Sequence, residues 1–316
     1  MKSYLFLLGS SLLIHGLHAQ NRIEKFFDYN WKLCDPSVAR YRSVKIKQDS
    51  LWHQQDFYVQ ENILQMNGYY KDSVRHGLFT FFHNNGQLSA KRLYKNNKRQ
   101  GLCVSFHKNG MIRDSANYVD DVIIGKGLSW HASGKAAEVW DLDTVGMGTG
   151  IGVTYFENKQ ISSKGRYSAG MKKRGLWNYY HVNGKKASDI VYTNDKIVSV
   201  KCYNNEGIEQ APCDIDWKAP EFPGGLEALT KYLTSKIYWP KGLKFENKDR
   251  ALIIISFTVD IDGSIKDIQI ELGFHEEFEI IARRAITQMP HWQPALEFNR
   301  KMPKSFVQHI NFVQKP

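Results

Sequence analysis

Apolar and polar residues follow two different periods along the last hundred residues of the chain. Two segments place apolar side chains at intervals of three and four residues, as an amphipathic helix does, and three segments are rich in β-branched or alternating apolar residues, as strands are. The pattern predicts helices at Gly225–Ser235 and Phe278–Met289, and strands at Leu252–Val259, Ser264–Leu272 and Ser305–Val313. This α-β-β-α-β order predicts a small antiparallel sheet with helices on one face.

Turn-forming residues mark the ends of these elements. Pro223-Gly224-Gly225 opens the module, because proline fixes φ and paired glycines permit backbone conformations that other residues avoid. Asp260–Gly263 joins the first two strands as a tight turn. Trp292 and Pro294 follow directly after Pro290, which ends the second helix. We therefore expect Trp292 to be buried between that helix and the sheet.

Four stretches of this module, taken in their order and spacing, resemble the TonB C-terminal domain. That domain is the periplasmic end of proteins that transmit inner-membrane energy to outer-membrane transporters. The stretches are Phe222–Gly225, Tyr238–Pro240, Phe257–Ile265 and Ala282–Ala295. Two strand entries depart from the family pattern. Asp249–Ala251 stands where the family usually has a glycine, and Asn299–Pro303 replaces a turn that usually reads Asn-Gly-Lys-Pro-Val.

The resemblance implies binding by β-augmentation, in which an extended peptide of an outer-membrane transporter pairs with an exposed strand edge. It makes the final strand the candidate edge. The candidate partner contacts on that strand are Ser305, Val307, His309 and Asn311. Backbone hydrogen bonds would supply the affinity of such a complex, and neighbouring pockets would supply its specificity.

A second pattern, with a period of 24 or 25 residues, fills the middle of the chain. Its copies are marked by Gly77, Gly101, Gly125, Gly150 and Gly175. Four copies continue as aromatic-His-x-x-Gly, with the histidines His83, His107, His131 and His181. Each copy contains two short strands and two turns, which predicts one β-hairpin. Because a lone hairpin is only marginally stable, we expect stacked hairpins that bury rows of aromatic side chains.

The repeat signature, Gly-Leu-x-x-x-aromatic-x-x-x-Gly, resembles MORN-type repeats in the variant found in YwqK-like antitoxin proteins. It is clearest after Gly77 and Gly175 and spans about 68–207. This resemblance implies a scaffold rather than a chemistry. The predicted fold class of the whole chain is mainly β, an elongated single-layer array of hairpin repeats followed by a small α+β module.

The first residues predict a secretory signal peptide. Lys2 precedes an apolar core at Tyr4–Leu17, which is shorter than the roughly 20 residues of a membrane span. We expect cleavage after Ala19, and an uncleaved inner-membrane anchor is the alternative. The predicted organisation is signal peptide 1–19, lead-in segment 20–67, repeats 68–207, linker 208–219 and TonB-like module 220–316.

Positive charge is concentrated ahead of the C-terminal module. The net charge of the chain is +11, whereas residues 214–316 contain fourteen basic and fourteen acidic side chains. A basic surface suits acidic lipids, anionic polysaccharide or nucleic acid. Export removes nucleic acid as a partner, and the scattered positions of the charges are typical of a solvated surface.

Candidate chemistry is sparse in this sequence. The repeat histidines recur about 9–10 Å apart in stacked hairpins, which is too far for shared zinc ligation through bonds of about 2 Å. Asp260 and Asp262 begin like a calcium loop whose later acidic ligands are missing. The sequence contains no nucleophile elbow, no His-Glu-x-x-His and no phosphate-binding glycine loop. We therefore expect no enzymatic activity, no metal, no cofactor and no small-molecule substrate.

The chain has four cysteines, Cys34, Cys103, Cys202 and Cys213. An even number of cysteines in an exported chain permits disulfides, and four allow three full pairings. We favour the pair Cys202–Cys213, because it would close a small loop just before the C-terminal module.

Three functions fit these patterns. The first is an exported cell-envelope adaptor whose module binds a periplasmic or outer-membrane protein by strand addition, with the repeats as scaffold and a link to TonB-dependent transport. The second is an anchored TonB-type energy transducer. The third is a repeat protein that binds peptidoglycan or another polysaccharide. We favour the first, because a transducer is expected to have an uncleaved membrane helix and usually a proline-rich spacer.

Overall fold

The computed structural model describes residues 21–244 and 250–314. The predicted signal peptide, with its cleavage site at Ala19, lies outside the described residues. Within the described ranges, no helix is long and apolar enough to cross a membrane.

Most of the described chain forms one antiparallel sheet of sixteen strands, in which each strand pairs with its neighbours in sequence. The strands are β1 (Arg22–Phe27), β2 (Tyr41–Gln48), β3 (Leu51–Tyr58), β4 (Ile63–Lys71), β5 (Val74–Phe82), β6 (Leu88–Lys95), β7 (Lys98–Phe106), β8 (Ile112–Val119), β9 (Val122–Trp130), β10 (Ala136–Leu142), β11 (Gly150–Tyr155), β12 (Ile161–Ser168), β13 (Lys172–Tyr180), β14 (Lys186–Thr193), β15 (Lys196–Tyr203) and β16 (Glu209–Gln210). The predicted mainly β array of hairpins is confirmed. The lead-in residues extend the same sheet, because β1, β2 and β3 precede the first repeat.

The chain divides into two compact units. The first contains the described residues up to Lys159 together with Gly165–Arg174, and the second contains Gln160–Lys164 together with the described residues from Gly175 onward. The second unit therefore holds the last strands of the repeat array as well as the C-terminal module.

In the first unit, large aromatic rings lie against glycines of neighbouring strands. Phe79 on β5 is fully buried, and a Cβ atom on Gly68 of β4 would overlap its ring. The half-buried rings of Trp140 and Tyr167 lie in the same way against Gly127 and Gly152. Glycine at these positions leaves the space that the ring occupies, so aromatic burial in the array depends on the strand next to each ring.

A ladder of histidine hydrogen bonds joins successive turns of the array. The Nε2 atom of each repeat histidine lies within hydrogen-bond distance of a backbone carbonyl at the end of a strand in the next copy. The bonds are His83 to Phe106 (2.9 Å), His107 to Trp130 (2.8 Å), His131 to Tyr155 (3.0 Å) and His181 to Tyr203 (3.1 Å). Because a carbonyl oxygen only accepts, each of these histidines donates from a protonated Nε2.

Asparagine side chains form a second ladder beside the first. The Nδ2 atom of a turn asparagine donates to a carbonyl of the next turn, while its Oδ1 atom accepts from a backbone N–H of its own turn. The bonds between turns are Asn85 to Lys108 (2.8 Å), Asn109 to Ala132 (2.7 Å) and Asn183 to Asn205 (2.8 Å). Hydrogen bonding between turns is therefore the observed role of the repeat histidines and asparagines, and among the described residues no cluster of three or more His, Cys, Asp or Glu could hold a metal.

We expect His107→Ala to lower the free energy of unfolding by about 1 kcal/mol, because it removes the donor to the Trp130 carbonyl. Urea unfolding followed by circular dichroism measures this change. His76→Ala is the matched control, since His76 is an exposed histidine on β5 and its loss should change stability by less than about 0.5 kcal/mol. Equal losses in the two variants would contradict the ladder as a stabilising feature.

In the described residues, the C-terminal module contains two helices and five strands. They are α1 (Gly225–Lys236), β17 (Arg250–Val259), β18 (Ile265–Leu272), α2 (Glu276–Thr287), β19 (Ala295–Glu297), β20 (Arg300–Met302) and β21 (Lys304–Val313). One sheet has the strand order β18-β17-β21, and β19 pairs with β20 as a separate two-stranded sheet. The β19–β20 hairpin is absent from the α-β-β-α-β order that the sequence predicted, because each of its strands is only three residues long.

The core of the module lies between the helices and one face of the three-stranded sheet. Its most buried side chains include Ile253, Ile255 and Phe257 of β17, and Phe278 and Ile286 of α2, each at most 1% exposed. Acidic residues in the first turn of α2 stabilise its N-terminus, where backbone N–H groups carry partial positive charge.

Trp292 is 4% exposed and belongs to this core. Its ring lies edge-on to Phe222 at 5.6 Å, to Phe257 at 5.6 Å and to Phe306 at 5.0 Å between centroids. These aromatic contacts are with the opening turn and the sheet, and Trp292 also belongs to the same core cluster as Phe278 and Ile286 of α2. The indole Nε1 atom is buried without a hydrogen-bond partner among the described residues.

The turn between β17 and β18 requires glycine at its last position. Gly263 has φ of 87°, a region that other residues rarely adopt, and its carbonyl accepts a hydrogen bond from the Trp292 backbone N–H at 2.9 Å. A Cβ atom at Gly263 would overlap the Trp292 backbone. Asp262 accepts from the Ser264 N–H at 2.8 Å, so this carboxylate stabilises the turn itself.

Cys202 and Cys213 form a disulfide, which is the pairing that the sequence favoured. It joins the last long strand of the array, β15, to the segment that leads into the module. Cys34 and Cys103 are free thiols.

Candidate protein-binding site

The last strand, β21, lies at an edge of the three-stranded sheet. It pairs antiparallel with β17 along its whole length, from Lys304 opposite Val259 to Val313 opposite Arg250. Its other side has no neighbouring strand in the part of the chain that the structure describes. Backbone N–H and C=O groups on such a side are available to pair with an added strand.

The candidate contact residues alternate with core residues along β21. The exposed set is Ser305, Val307, His309 and Asn311, and the strand's core contributors are Phe306, Ile310 and Phe312. Because successive side chains of a strand point to opposite faces, the four candidates share the face directed away from the core. Val307 is 52% exposed, so this face carries an apolar side chain in contact with solvent.

A groove of about 860 Å³ runs beside the second half of β21. It is bounded by the C-terminal end of α1, the segment Ile237–Lys244 and residues Gln308–Gln314. Trp239 fixes one wall, because its Nε1 donates to the Leu243 carbonyl at 2.8 Å and its ring lies edge-on to Phe278 at 4.9 Å. The groove therefore places an apolar, structured surface next to the open side of β21.

The charged side chains that line the groove are basic. Lys241 and Lys244 lie on its rim, and no carboxylate occurs among its described lining residues. His309 and Asn311 add hydrogen-bonding groups on the β21 side. The electrostatics of this site favour a ligand that carries carboxylates.

The turn that opens the C-terminal module meets the segment that follows α2. The Glu221 N–H donates to the Gln293 carbonyl at 2.9 Å, and the Gln293 N–H donates to the Glu221 carbonyl at 2.8 Å. This pairing ties Pro223-Gly224-Gly225, which begins α1, to the segment Trp292–Pro294. Gly224 and Gly225 have φ of 86° and 76°, so both adopt conformations that favour glycine. These residues build the module and lie outside the groove.

Two carboxyl groups with shifted pKa values, Asp56 and Asp143, belong to the sixteen-stranded sheet and its loops. Burial raises the pKa of Asp56, which accepts a hydrogen bond from Gln54 Nε2 at 2.9 Å. A hydrogen bond from Thr149 lowers the pKa of Asp143 to about 2, and this carboxylate also accepts from backbone N–H groups of its own loop. Each shift has a local structural cause and needs no catalytic explanation.

Sequence reasoning missed a further set of contacts, made by the turn between β19 and β20. Phe298 and Asn299 form this turn, and they contact the last strands of the repeat array in the same compact unit. In the sequence, we predicted Asn299–Pro303 to be only the entry to the last strand.

A family model described as a MORN repeat variant matches residues 75–96. The match coincides with one hairpin of the array, formed by β5 and β6. A search of curated proteins finds none that matches the chain. Residues 75–96 are thus similar to a MORN repeat, and the turns that follow repeat the same hydrogen-bond ladder.

Proposed function

We propose that the protein is an exported adaptor of the cell envelope that binds a protein partner by strand addition along β21, and that it is not an enzyme. The observation that carries this proposal is the open side of β21 beside the groove. The repeat array is the scaffold of the adaptor. The proposed partner is a periplasmic or outer-membrane protein, with an outer-membrane transporter as the first candidate.

The likeness of the C-terminal module to the TonB C-terminal domain supports the class of partner. Helices cover one face of a three-stranded antiparallel sheet, and the last strand of the chain is an edge strand. An edge strand of this kind binds an extended peptide through its backbone. The β19–β20 hairpin and the sequence at Asn299–Pro303 distinguish this module from the family pattern.

The groove supports a partner segment of defined chemistry. Strand addition would use the backbone of β21, while an apolar side chain of the partner would enter the groove beside Trp239. Lys241 and Lys244 would attract carboxylates that flank this side chain. The proposed ligand is therefore an extended, apolar segment with acidic residues.

Photo-crosslinking in cells tests this proposal. A photoreactive amino acid at Val307 of the full chain should crosslink to one continuous segment of an envelope protein, because this side chain is 52% exposed on the edge strand. Ile280 on α2 is the matched control, since it is also apolar and 42% exposed. The same crosslinks from both positions, or none from Val307, would contradict strand addition at β21.

A pair of proline variants tests the backbone mechanism. Alternate residues of an antiparallel edge strand direct their N–H groups either to the neighbouring strand or to the open side. With the photoreactive residue kept at Val307, one of Gln308→Pro and His309→Pro should therefore destabilise the module, and the other should retain its unfolding temperature but lose the crosslinked partner. If the variant that retains its unfolding temperature still crosslinks to the partner, the proposed strand addition is wrong.

A further inference from the structure

The turn between β19 and β20 has an unusual backbone. Phe298 and Asn299 have φ of 53° and 62°. Asparagine tolerates this left-handed region, but a bulky residue such as phenylalanine rarely adopts it, because its side chain is then strained against the backbone. A conformation of this kind persists where surrounding contacts determine it, so the contacts of Phe298 are informative.

Phe298 packs on an aromatic side chain of the repeat array. Its ring stacks on Tyr179 of β13 with 4.3 Å between centroids and 30° between planes. Its carbonyl accepts a hydrogen bond from Ser188 Oγ of β14 at 2.9 Å. Tyr179 is itself only 1% exposed, and its hydroxyl lies 3.1 Å from that of Tyr192. The turn therefore fits against a structured surface of the last hairpins.

Asn299 binds at the end of the histidine ladder. Its Nδ2 atom donates to the carbonyls of Ala187 and Tyr203, each at 2.9 Å. The Tyr203 carbonyl is also the acceptor of His181 Nε2. One side chain from the module thus joins two strands of the array, β14 and β15, at the carbonyl where the ladder ends.

Arg300 is buried with this turn and is 4% exposed. Its Nη1 atom donates to Ser162 Oγ at 2.8 Å, and to the backbone carbonyls of Ser162 and Tyr180. The guanidinium carbon lies 5.1 Å from the centre of the Tyr179 ring. Loss of solvation lowers the pKa of Arg300 to about 10. Burying a cation here is costly, and the hydrogen bonds and the ring offset part of that cost.

We propose that the Phe298–Arg300 turn is a clamp that couples the edge strand β21 to the last hairpins of the repeat array. Pro303 alone separates β20 from β21, so docking of the turn fixes the point where β21 begins. Because coupling between two sites is reciprocal, a substitution in the array surface must change the stability of the turn, and a substitution in the turn must change the stability of the array surface. The clamp acts within the protein itself and does not depend on the proposed partner.

In this chain the array supplies a surface for Asn299 and Arg300. We infer that the two parts of the sequence form one binding pair within the second compact unit.

Hydrogen exchange of the full chain tests the coupling in both directions. Asn299→Ala removes two hydrogen bonds and should speed amide exchange about tenfold in the array segment 186–203, which the residue contacts. Tyr179→Leu removes the ring on which Phe298 stacks. Although Tyr179 lies on β13, this substitution should speed amide exchange about tenfold in β21. There are two matched controls. Lys301→Ala, at an exposed position of β20, should leave amide exchange in 186–203 unchanged. Tyr179→Phe keeps the aromatic ring and should leave amide exchange in β21 unchanged.

The reciprocal pattern decides the proposal. Faster exchange in β21 from the array variant, together with faster exchange in 186–203 from the turn variant, supports the clamp. Exchange that rises only around the substituted residue in both variants overturns it. Should Tyr179→Leu unfold β13, β14 and β15 altogether, the result for Asn299→Ala decides alone, and unchanged exchange in 186–203 then overturns the proposal.

Discussion

Trp292→Ala is expected to lower the free energy of unfolding of the C-terminal module by about 3–5 kcal/mol, the range for truncating a buried aromatic side chain. Trp292 is 4% exposed and contacts Phe222, Phe257 and Phe306, so its loss opens a cavity where the opening turn meets the sheet. Calorimetry of the full chain should show the module unfolding at a lower temperature, while the unfolding of the first unit is unchanged.

Trp292→Phe is the matched control. It keeps an aromatic ring against the same three neighbours, and it removes an indole N–H that has no acceptor among the described residues. We expect a smaller loss than for alanine, because only part of the volume is removed. If the alanine variant unfolded at the wild-type temperature, Trp292 would not contribute to the stability of the core.

The repeat array was predictable because its signals are local and recur. The spacing of the glycines and of the aromatic-His-x-x-Gly turns predicted one hairpin per copy, and the match at residues 75–96 and the sixteen-stranded sheet agree with it. The partners of the histidines were not predictable in detail. The Trp130 carbonyl lies 23 residues from His107. Since every residue has a backbone carbonyl, the sequence does not indicate which one accepts the hydrogen bond.

The aromatic burial of the array shows a similar limit. From the sequence alone, a glycine such as Gly68 is expected to destabilise a strand, since glycine lacks a side chain to pack. In the structure the same glycine makes room for Phe79 on the adjacent strand. The reason for the glycine lies in a neighbour that is eleven residues away in sequence and becomes adjacent only when the strands pair.

The candidate edge strand was predictable, but its surroundings were not. The sequence predicted a last strand at Ser305–Val313, and the family resemblance implied that it is an edge strand. In the structure β21 spans Lys304–Val313. The groove depends on Trp239 packing on Phe278, a contact between residues far apart in the chain. The contacts of Asn299 with Ala187 and Tyr203 span 112 and 96 residues, so no local sequence pattern could predict them.

Removing the Cys202–Cys213 disulfide should destabilise the second unit by about 3 kcal/mol, as expected for closing a short loop in the unfolded chain. For a unit of this size the loss corresponds to a fall in unfolding temperature of roughly 6–12 °C. The double variant Cys202→Ala, Cys213→Ala, measured by calorimetry without reductant, tests this. Cys202 is 1% exposed and precedes Tyr203, whose carbonyl binds Asn299. The disulfide and the clamp therefore hold the same end of β15.

This shared position makes the effects of the two ties non-additive. Asn299→Ala should change the free energy of unfolding by a different amount in the protein without the disulfide than in the oxidised protein. The reason is that neighbouring contacts that act on one strand are energetically coupled. Cys34→Ser is the control, since this free thiol lies in the first unit and its loss should leave the unfolding of the second unit unchanged. An unfolding temperature that is the same with and without reductant in the wild-type protein would show that the disulfide does not stabilise this junction.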